Sequence, residues 1–461
     1  MILVFLASIA MAAPDRSQPP VYRGDVVVHE PLPTTHHLED NTPVWLIERS
    51  NVPLVRVQLT IRGGFLSDSD PQAAMLAGAL VGRATQRRSA QQLERKLTSF
   101  GGLLSVGVDA HSVWASIEFL SGREREAVLI LEEALKYPSF RRARLRRVRT
   151  RWANRLKDAW RLIGRVHNRA LSEALYSSDH PLAFYPTPKD FRRVNLRRVK
   201  AAWNRLLQSG TTTVLVAGDT TPQRVLPQLD RALTDLGGSM MAREIPPPIF
   251  HDRQVILVDH PGASQFIITH TRPAVAIDAQ NRDAVALSNR VFGGDFTSRL
   301  NQVLREEKGL VYNVYSDLDV RTGWGRLEVT CRGENQDVVE VLDSLENEIS
   351  QMVSDPPDEA ELRRASRSMK IQRARELEKL STLTFSLGVY QSLGLPINSV
   401  HSHLEAVDSI GVQEVAVASE ILFGGSDELW VITGDRQTLE LALEEGHWFP
   451  DSIRSGADLL R

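Results

Sequence analysis

Val214-Leu215-Val216-Ala217-Gly218-Asp219 is a short apolar run closed by glycine and aspartate, and the pattern returns as Trp430-Val431-Ile432-Thr433-Gly434-Asp435. The two aspartates are 216 residues apart. Far upstream of each copy stands a pair of candidate strands. In the first pair, Val44-Trp45-Leu46-Ile47 precedes a run in which Val55, Val57, Leu59 and Ile61 alternate with Arg56, Gln58, Thr60 and Arg62. A period of two marks a half-buried strand with one polar face. The counterparts are Val255-Ile256-Leu257-Val258 and Gln265-Phe266-Ile267-Ile268-Thr269, with 211 residues between Val44 and Val255. Two anchors at nearly one spacing indicate a duplicated unit.

Helices fill the middle of each unit. Ser89 with Gln92, and Ser121 with Glu124, have the spacing of capping boxes and are expected to start two of them. Strands are expected over 103–109 and 113–119. In the second unit Leu327, Val329 and Cys331 alternate with Glu328, Thr330 and Arg332, which places Cys331 on an apolar face as a core residue. Strands interrupted by pairs of helices predict an α+β fold of two homologous domains. Each is a mostly antiparallel sheet with helices layered on one face. The domains are placed at 30–235 and 253–461. The linker between them, 236–252, contains Gly237-Gly238-Ser239 and Pro246-Pro247-Pro248 and should be extended and semi-rigid.

A chain of 461 residues exceeds one ordinary core, and 42% apolar residues suffice to fill two. With 55 basic and 57 acidic residues the net charge is -2, so the whole-protein field selects no polyanion and no nucleic-acid partner is expected. The single cysteine excludes an intrachain disulfide and any cysteine-rich metal module. Residues 1–13 run apolar and end in Ala12 and Ala13, the pattern of a cleavable export signal, which implies a periplasmic or cell-envelope protein. The run is too short to span a bilayer, which takes ~20 apolar residues, and no other stretch is apolar enough.

Four segments stand in order along the chain: Leu38-Glu39-Asp40-Asn41-Thr42-Pro43-Val44, Arg62-Gly63-Gly64, His180-Pro181, and above all Thr297-Ser298-Arg299-Leu300 with Leu304-Arg305-Glu306-Glu307-Lys308-Gly309-Leu310-Val311-Tyr312. Together they resemble the pitrilysin/insulinase family of zinc metallopeptidases across nearly the whole chain after residue ~30. The last is similar to the family's C-terminal-domain pattern. Active members carry His-x-x-Glu-His on a helix, two zinc ligands one turn apart with a glutamate base. Here those five positions fall at Met75-Leu76-Ala77-Gly78-Ala79, so Met75, Gly78 and Ala79 mark a degenerate site. The third ligand's place falls near Asn154-Arg155, without a carboxylate. His36-His37 and His401-x-His403 are the only close histidine pairs and read as solvated loop residues, so no metal or other cofactor is assigned.

The resemblance gives Arg305 and Tyr312 a role: an arginine and a tyrosine at this spacing bind the peptide and stabilise the oxyanion formed at zinc. Read from the residues alone, Arg305 pairs with Glu306 or Glu307 and Tyr312 packs in a strand. Some relatives work as heterodimers, one subunit holding zinc and the other the Arg/Tyr pair. By resemblance the chain is a non-catalytic subunit that contacts a peptide substrate and a zinc-bearing sister chain. A stand-alone peptide-binding scaffold and an active peptidase with unfamiliar ligands are the alternatives. The sequence also carries an arginine-dense helix over 141–156, where Leu145, Val148, Trp152 and Leu156 recur at helical spacing. It reads as a solvated arginine face, with a nucleic-acid or anionic-lipid contact, or equally an acidic peptide or acidic partner surface, as the functional alternatives.

Overall fold

The computed structural model describes residues 26–159, 162–238, 245–393, 395–397 and 399–459. The expected export segment and positions 239–244 of the linker lie outside them.

The first half contains strands β1 (Thr34–His37), β2 (Pro43–Glu48), β3 (Leu54–Arg62), β4 (Leu103–Val108), β5 (Ser112–Leu120) and β6 (Thr212–Gly218). Its helices are α1 (Pro71–Leu80), α2 (Ala90–Thr98), α3 (Glu124–Lys136), α4 (Arg142–Ala159), α5 (Ile163–Leu175), α6 (Pro188–Arg192), α7 (Leu196–Leu206) and α8 (Pro222–Leu233). The second half contains β7 (Gln254–Asp259), β8 (Gln265–Ala274), β9 (Val311–Arg321), β10 (Trp324–Glu334), β11 (Leu429–Gly434) and β12 (Ser452–Ser455). Its helices are α9 (Arg282–Phe292), α10 (Val338–Ser354), α11 (Glu359–Glu378), α12 (Leu380–Ser392), α13 (Ser399–Ser409), α14 (Val412–Phe423), α15 (Arg436–Glu445) and α16 (Gly456–Leu459).

Two six-stranded sheets result, in the orders β1-β2-β6-β3-β5-β4 and β12-β7-β11-β8-β10-β9. Five strands of each correspond one to one. The two recurring runs are β6 and β11, which lie centrally, parallel to β2 and β7 and antiparallel to β3 and β8. The sixth strand differs: β1 joins antiparallel from the start of its unit, and β12 joins parallel from the end. Both sheets are therefore mixed but mainly antiparallel, and the fold is α+β with two homologous units.

One face of each sheet packs on its own helices. Val55, Val57, Leu59 and Ile61 of β3 meet α1, α3, α7 and α8 in the first core, while Leu327, Val329 and Cys331 of β10 meet α9, α10, α14 and α15 in the second. Burial pushes the Cys331 thiol up to about 12, as befits a core side chain. The expectation of helices on one face only is corrected on the other side, where the halves trade a helix. Leu380, Leu383 and Leu387 of α12 cover Ile47, Leu215 and Ala217 of the first sheet. Val166, Ala170 and Leu175 of α5 cover Ile256, Val258, Leu429 and Val431 of the second. These second faces are apolar at their centres, and each would face water if its own half were all that was present.

A polar clasp sits at the middle of each traded helix. His167 of α5 is fully buried, with Nδ1 2.8 Å from Thr433 Oγ1 and Nε2 2.8 Å from Thr269 Oγ1. Hydroxyls can donate or accept, so a neutral imidazole satisfies both. Thr384 stands 217 residues later on α12, accepts from Arg56 Nε at 2.9 Å, and donates to Gln58 Oε1 at 3.2 Å. The linker beyond residue 244 is tied down as well. Ile249 N donates to Leu175 O at 2.8 Å and Trp324 Nε1 to Ile245 O at 2.8 Å. The His180-Pro181 turn contributes: His180 Nδ1 accepts from Leu182 N, which leaves Nε2–H to donate to Pro246 O at 3.0 Å.

Ser89 and Gln92 form their capping box. Ser121 and Glu124 do not, a second correction. Ser121 Oγ donates to Asp219 O, and Glu124 is drawn instead to Thr220 and Arg224. Tertiary partners outbid the local cap.

Candidate functional site

Arg305 lies on a single π-helical turn, Asn301–Glu307, that leads through Gly309 into β9. Gly309 has φ +66, a left-handed value that reverses the chain with no Cβ to strain. The motif around it divides by burial. Leu300 and Leu304 are fully buried; Asn301 Nδ2 donates to Val314 O at 3.0 Å; Arg299 grips Glu361 of α11 through two bonds of 2.8 and 2.7 Å. Those residues fix the turn on the sheet. Arg305 is left half-exposed, its Cζ 4.8 Å from the ring centroid of Phe296 and its Nε 3.5 Å from Glu306. The expected Glu306 pairing is thus present, as one long contact, and the ring of Phe296 supports the guanidinium as well.

Tyr312 is not packed. β9 forms the outer edge of the second sheet, and its register with β10 slips there: Arg332 faces Asn313, but Gly333 faces Val311. Tyr312 is the extra residue of that bulge and is 86% exposed. A bulge turns one side chain out of the alternation and re-aims it, a device frequent beside active sites. Single π turns are likewise frequent at functional sites. Phe296, which meets Arg305, is 62% exposed, and Tyr315, three residues after Tyr312 on β9, is 47% exposed. Sequence reasoning did not single out Phe296; its place one residue before Thr297-Ser298-Arg299 was the only signal.

The degenerate positions lie on α1, started by Asp70, whose side chain accepts from Ala73 N. Met75 and Ala79 are half-buried and Gly78 is buried. A Cβ on Gly78 would stand 2.7 Å from Val108 Cγ2 and 2.9 Å from the Val108 backbone nitrogen. Strand β4 therefore closes on the helix where a glutamate base would project. Near the place of the third ligand, Asn154 and Arg155 are exposed on α4. The residues present do not fit zinc. The other histidines are engaged differently. His36 Nε2 lies 3.0 Å from Thr34 Oγ1, and His403 Nδ1 lies 2.6 Å from Asp283, which helps hold that carboxyl below its ordinary range against the effect of burial. The side chain of His401 is outside the described set. Among the described residues no group of three His, Cys, Asp or Glu could hold a metal ion.

On α4, Leu145 is buried and Val148, Trp152 and Leu156 pack against the first core, while most of the arginines are exposed. Among the described residues no helix is long and apolar enough to cross a membrane.

Residues 193–369 match the family model described as the peptidase M16 inactive domain. The chain is 24% identical over 388 residues to the non-peptidase homolog YmxG of Helicobacter pylori, covering 81% of this chain and 87% of that one. Its fold is shared with the peptidase M16 inactive domain from Pseudomonas fluorescens, with a TM-score of 0.80, 18% identity, and coverage of 87% of this chain and 98% of the other. It is also shared with the periplasmic protease PqqL of Escherichia coli, with a TM-score of 0.77 and 13% identity, where the match takes in 93% of this chain but 49% of that longer one. Sequence, architecture and the degenerate α1 agree: the chain is similar to the peptidase M16 family, the pitrilysin/insulinase peptidases, over its inactive-domain segment and in fold, and the positions of α1 that would carry the zinc motif hold Met75, Gly78 and Ala79.

Proposed function

We propose that the chain is the non-catalytic subunit of an exported heterodimeric zinc peptidase, supplying Arg305 and Tyr312 to a peptide held at the zinc of a sister chain. The observation that carries this reading is Tyr312, displaced from the strand alternation by a bulge and 86% exposed, on the strand that follows the π-helical turn carrying Arg305. A large aromatic side chain so placed contributes little to its own fold. A phenol and a guanidinium are preformed donors to a carbonyl that acquires negative charge. The free edge of β9 can accept an extended peptide by adding a strand. Domain bounds of 30–235 and 253–461, and removal of residues 1–13 on export, belong to the same reading. The likeness in fold to a periplasmic protease of Escherichia coli supports the export component.

The test is kinetic assay of the chain reconstituted with an M16 sister chain bearing His-x-x-Glu-His. Arg305→Ala and Tyr312→Phe should leave the melting temperature and the affinity for the sister chain unchanged and lower turnover about a hundredfold each. Arg305→Lys should rescue poorly, because an ammonium cannot reproduce the planar fork. Unchanged turnover in both variants removes the pair from function and favours the scaffold reading. Tight zinc and chelator-sensitive cleavage by the chain alone would establish it as a peptidase in its own right.

A further inference from the structure

Between positions 141 and 157 the chain carries eight arginines, one lysine and no carboxylate. Among the described residues none of these nine cations forms an ion pair with a carboxylate, whereas Arg198, Arg205, Arg299 and Arg373 each do. Three of the nine converge. Arg142, Arg146 and Arg149 line one side of a groove of about 710 Å³, and Arg197, at the start of α7, lines the other. Asn195 caps α7, accepting from Arg198 N at 3.0 Å, so the positive end of an 11-residue helix opens at the same place. Leu145 and Leu196 add an apolar component to the lining.

We infer that this groove is a binding site for an acidic stretch of polypeptide in extended form. Along α4, Arg142 to Arg149 covers about 10 Å at ~1.5 Å per residue. Alternate side chains of an extended peptide project on one side about 7 Å apart, so two carboxylates match the row. Guanidiniums bind carboxylates in planar, paired hydrogen bonds. A bilayer fits less well, since the apolar stripe of α4 is turned into the core and leaves nothing to enter the acyl region. A nucleic acid fits less well too, because among the described residues no aromatic side chain lines the groove for a base to stack on. The site is separate in sequence and structure from Arg305 and Tyr312, and its test needs no sister chain.

The experiment uses the full chain and fluorescence anisotropy with a labelled ten-residue peptide of alternating glutamate and serine. Its lysine–serine counterpart, a single-stranded oligonucleotide and anionic phosphatidylglycerol vesicles serve as the other arms. The glutamate peptide should bind at 50 mM salt and weaken about tenfold or more by 300 mM, as screening requires. Arg142→Glu with Arg146→Glu should weaken it a further tenfold at least. Arg146→Gln with Arg197→Gln should weaken it less while keeping or raising the melting temperature, which shows that lost binding is not lost folding. Arg305→Ala should bind like the wild type. No binding at 50 mM salt, equal binding by the charge-reversed variant, or equal binding of the lysine peptide would overturn the site. Tenfold preference for the oligonucleotide or the vesicles would overturn the assignment to an acidic polypeptide.

Discussion

Acidification should loosen the contact between α5 and the second sheet, and His167 sets the size of the effect. Its imidazole is fully buried between Thr433 and Thr269, and burial, assisted by the charge of Arg332, lowers its pKa from 6.5 to about 3. In the unfolded chain the group titrates near its ordinary value, so between about pH 6.5 and 3 the unfolded state binds more protons than the folded one. Stability then rises with pH across that window: it is constant above about pH 7, falls as pH drops through 6.5, and levels off only below 3. At ~1.4 kcal/mol per unit, His167 alone removes about 2 kcal/mol between pH 7 and pH 5. Other groups titrate as well, so the measurement is a difference. Urea denaturation of the wild type and of His167→Gln at pH 7, 6 and 5 should show a variant that is less stable at neutral pH, with a gap that closes as the pH falls. Glutamine retains polar contact with the threonines but has no proton to take up. Parallel stability curves for the two proteins would refute the assignment of a neutral, clasping histidine.

The matching contact on the other sheet should respond to Leu383→Ala, which empties a fully buried site under α12 and should cost about 2–5 kcal/mol in urea denaturation. Gly78→Ala should lower the urea midpoint, although alanine is the better helix former by about 1 kcal/mol. The added methyl meets the Val108 side chain and its backbone nitrogen, and overpacking of that kind costs about 1–3 kcal/mol. Cys331 should resist a thiol reagent at pH 8 in the native protein and react at a rate set by unfolding, because its thiol is buried and pushed up to about 12.

The strands were legible because the period-two pattern is local. β3 and β5 fall within one residue of the runs read from Val55 and Val113, β10 extends the run read from Leu327 by three residues at its start and two at its end, and the spacing of Asp219 and Asp435 joined two equivalent central strands. What was not legible is non-local. Nothing in the apolar stripe of α5 says that it faces Ile256 and Val431 rather than a strand of its own half. α12 also exposes Phe385, which blurs its polar side. Ser121 failed as a cap for a related reason: Asp219, nearly a hundred residues away, offered its hydroxyl a carbonyl. At the candidate site, spacing singled out Arg305 and Tyr312 only through the family resemblance. Their exposure depends on a slip in pairing with β10 and on a π turn, and both are properties of backbone register, which side-chain patterns do not encode.

The trade of α5 and α12 has an evolutionary reading. A primordial chain of one half would have carried a sheet with a bare apolar centre and a spare helix suited to covering an identical bare centre elsewhere. Its smallest closed form is a twofold pair of copies, each lending its helix to the other, the arrangement known as domain swapping. Joining two copies end to end turns that encounter between molecules into one within a molecule, at an effective concentration that short linkers place in the millimolar range. Once joined, the copies were free to diverge as long as each still fitted the other's helix. The clasps record that divergence, with a histidine between two threonines on one side and a threonine between an arginine and a glutamine on the other.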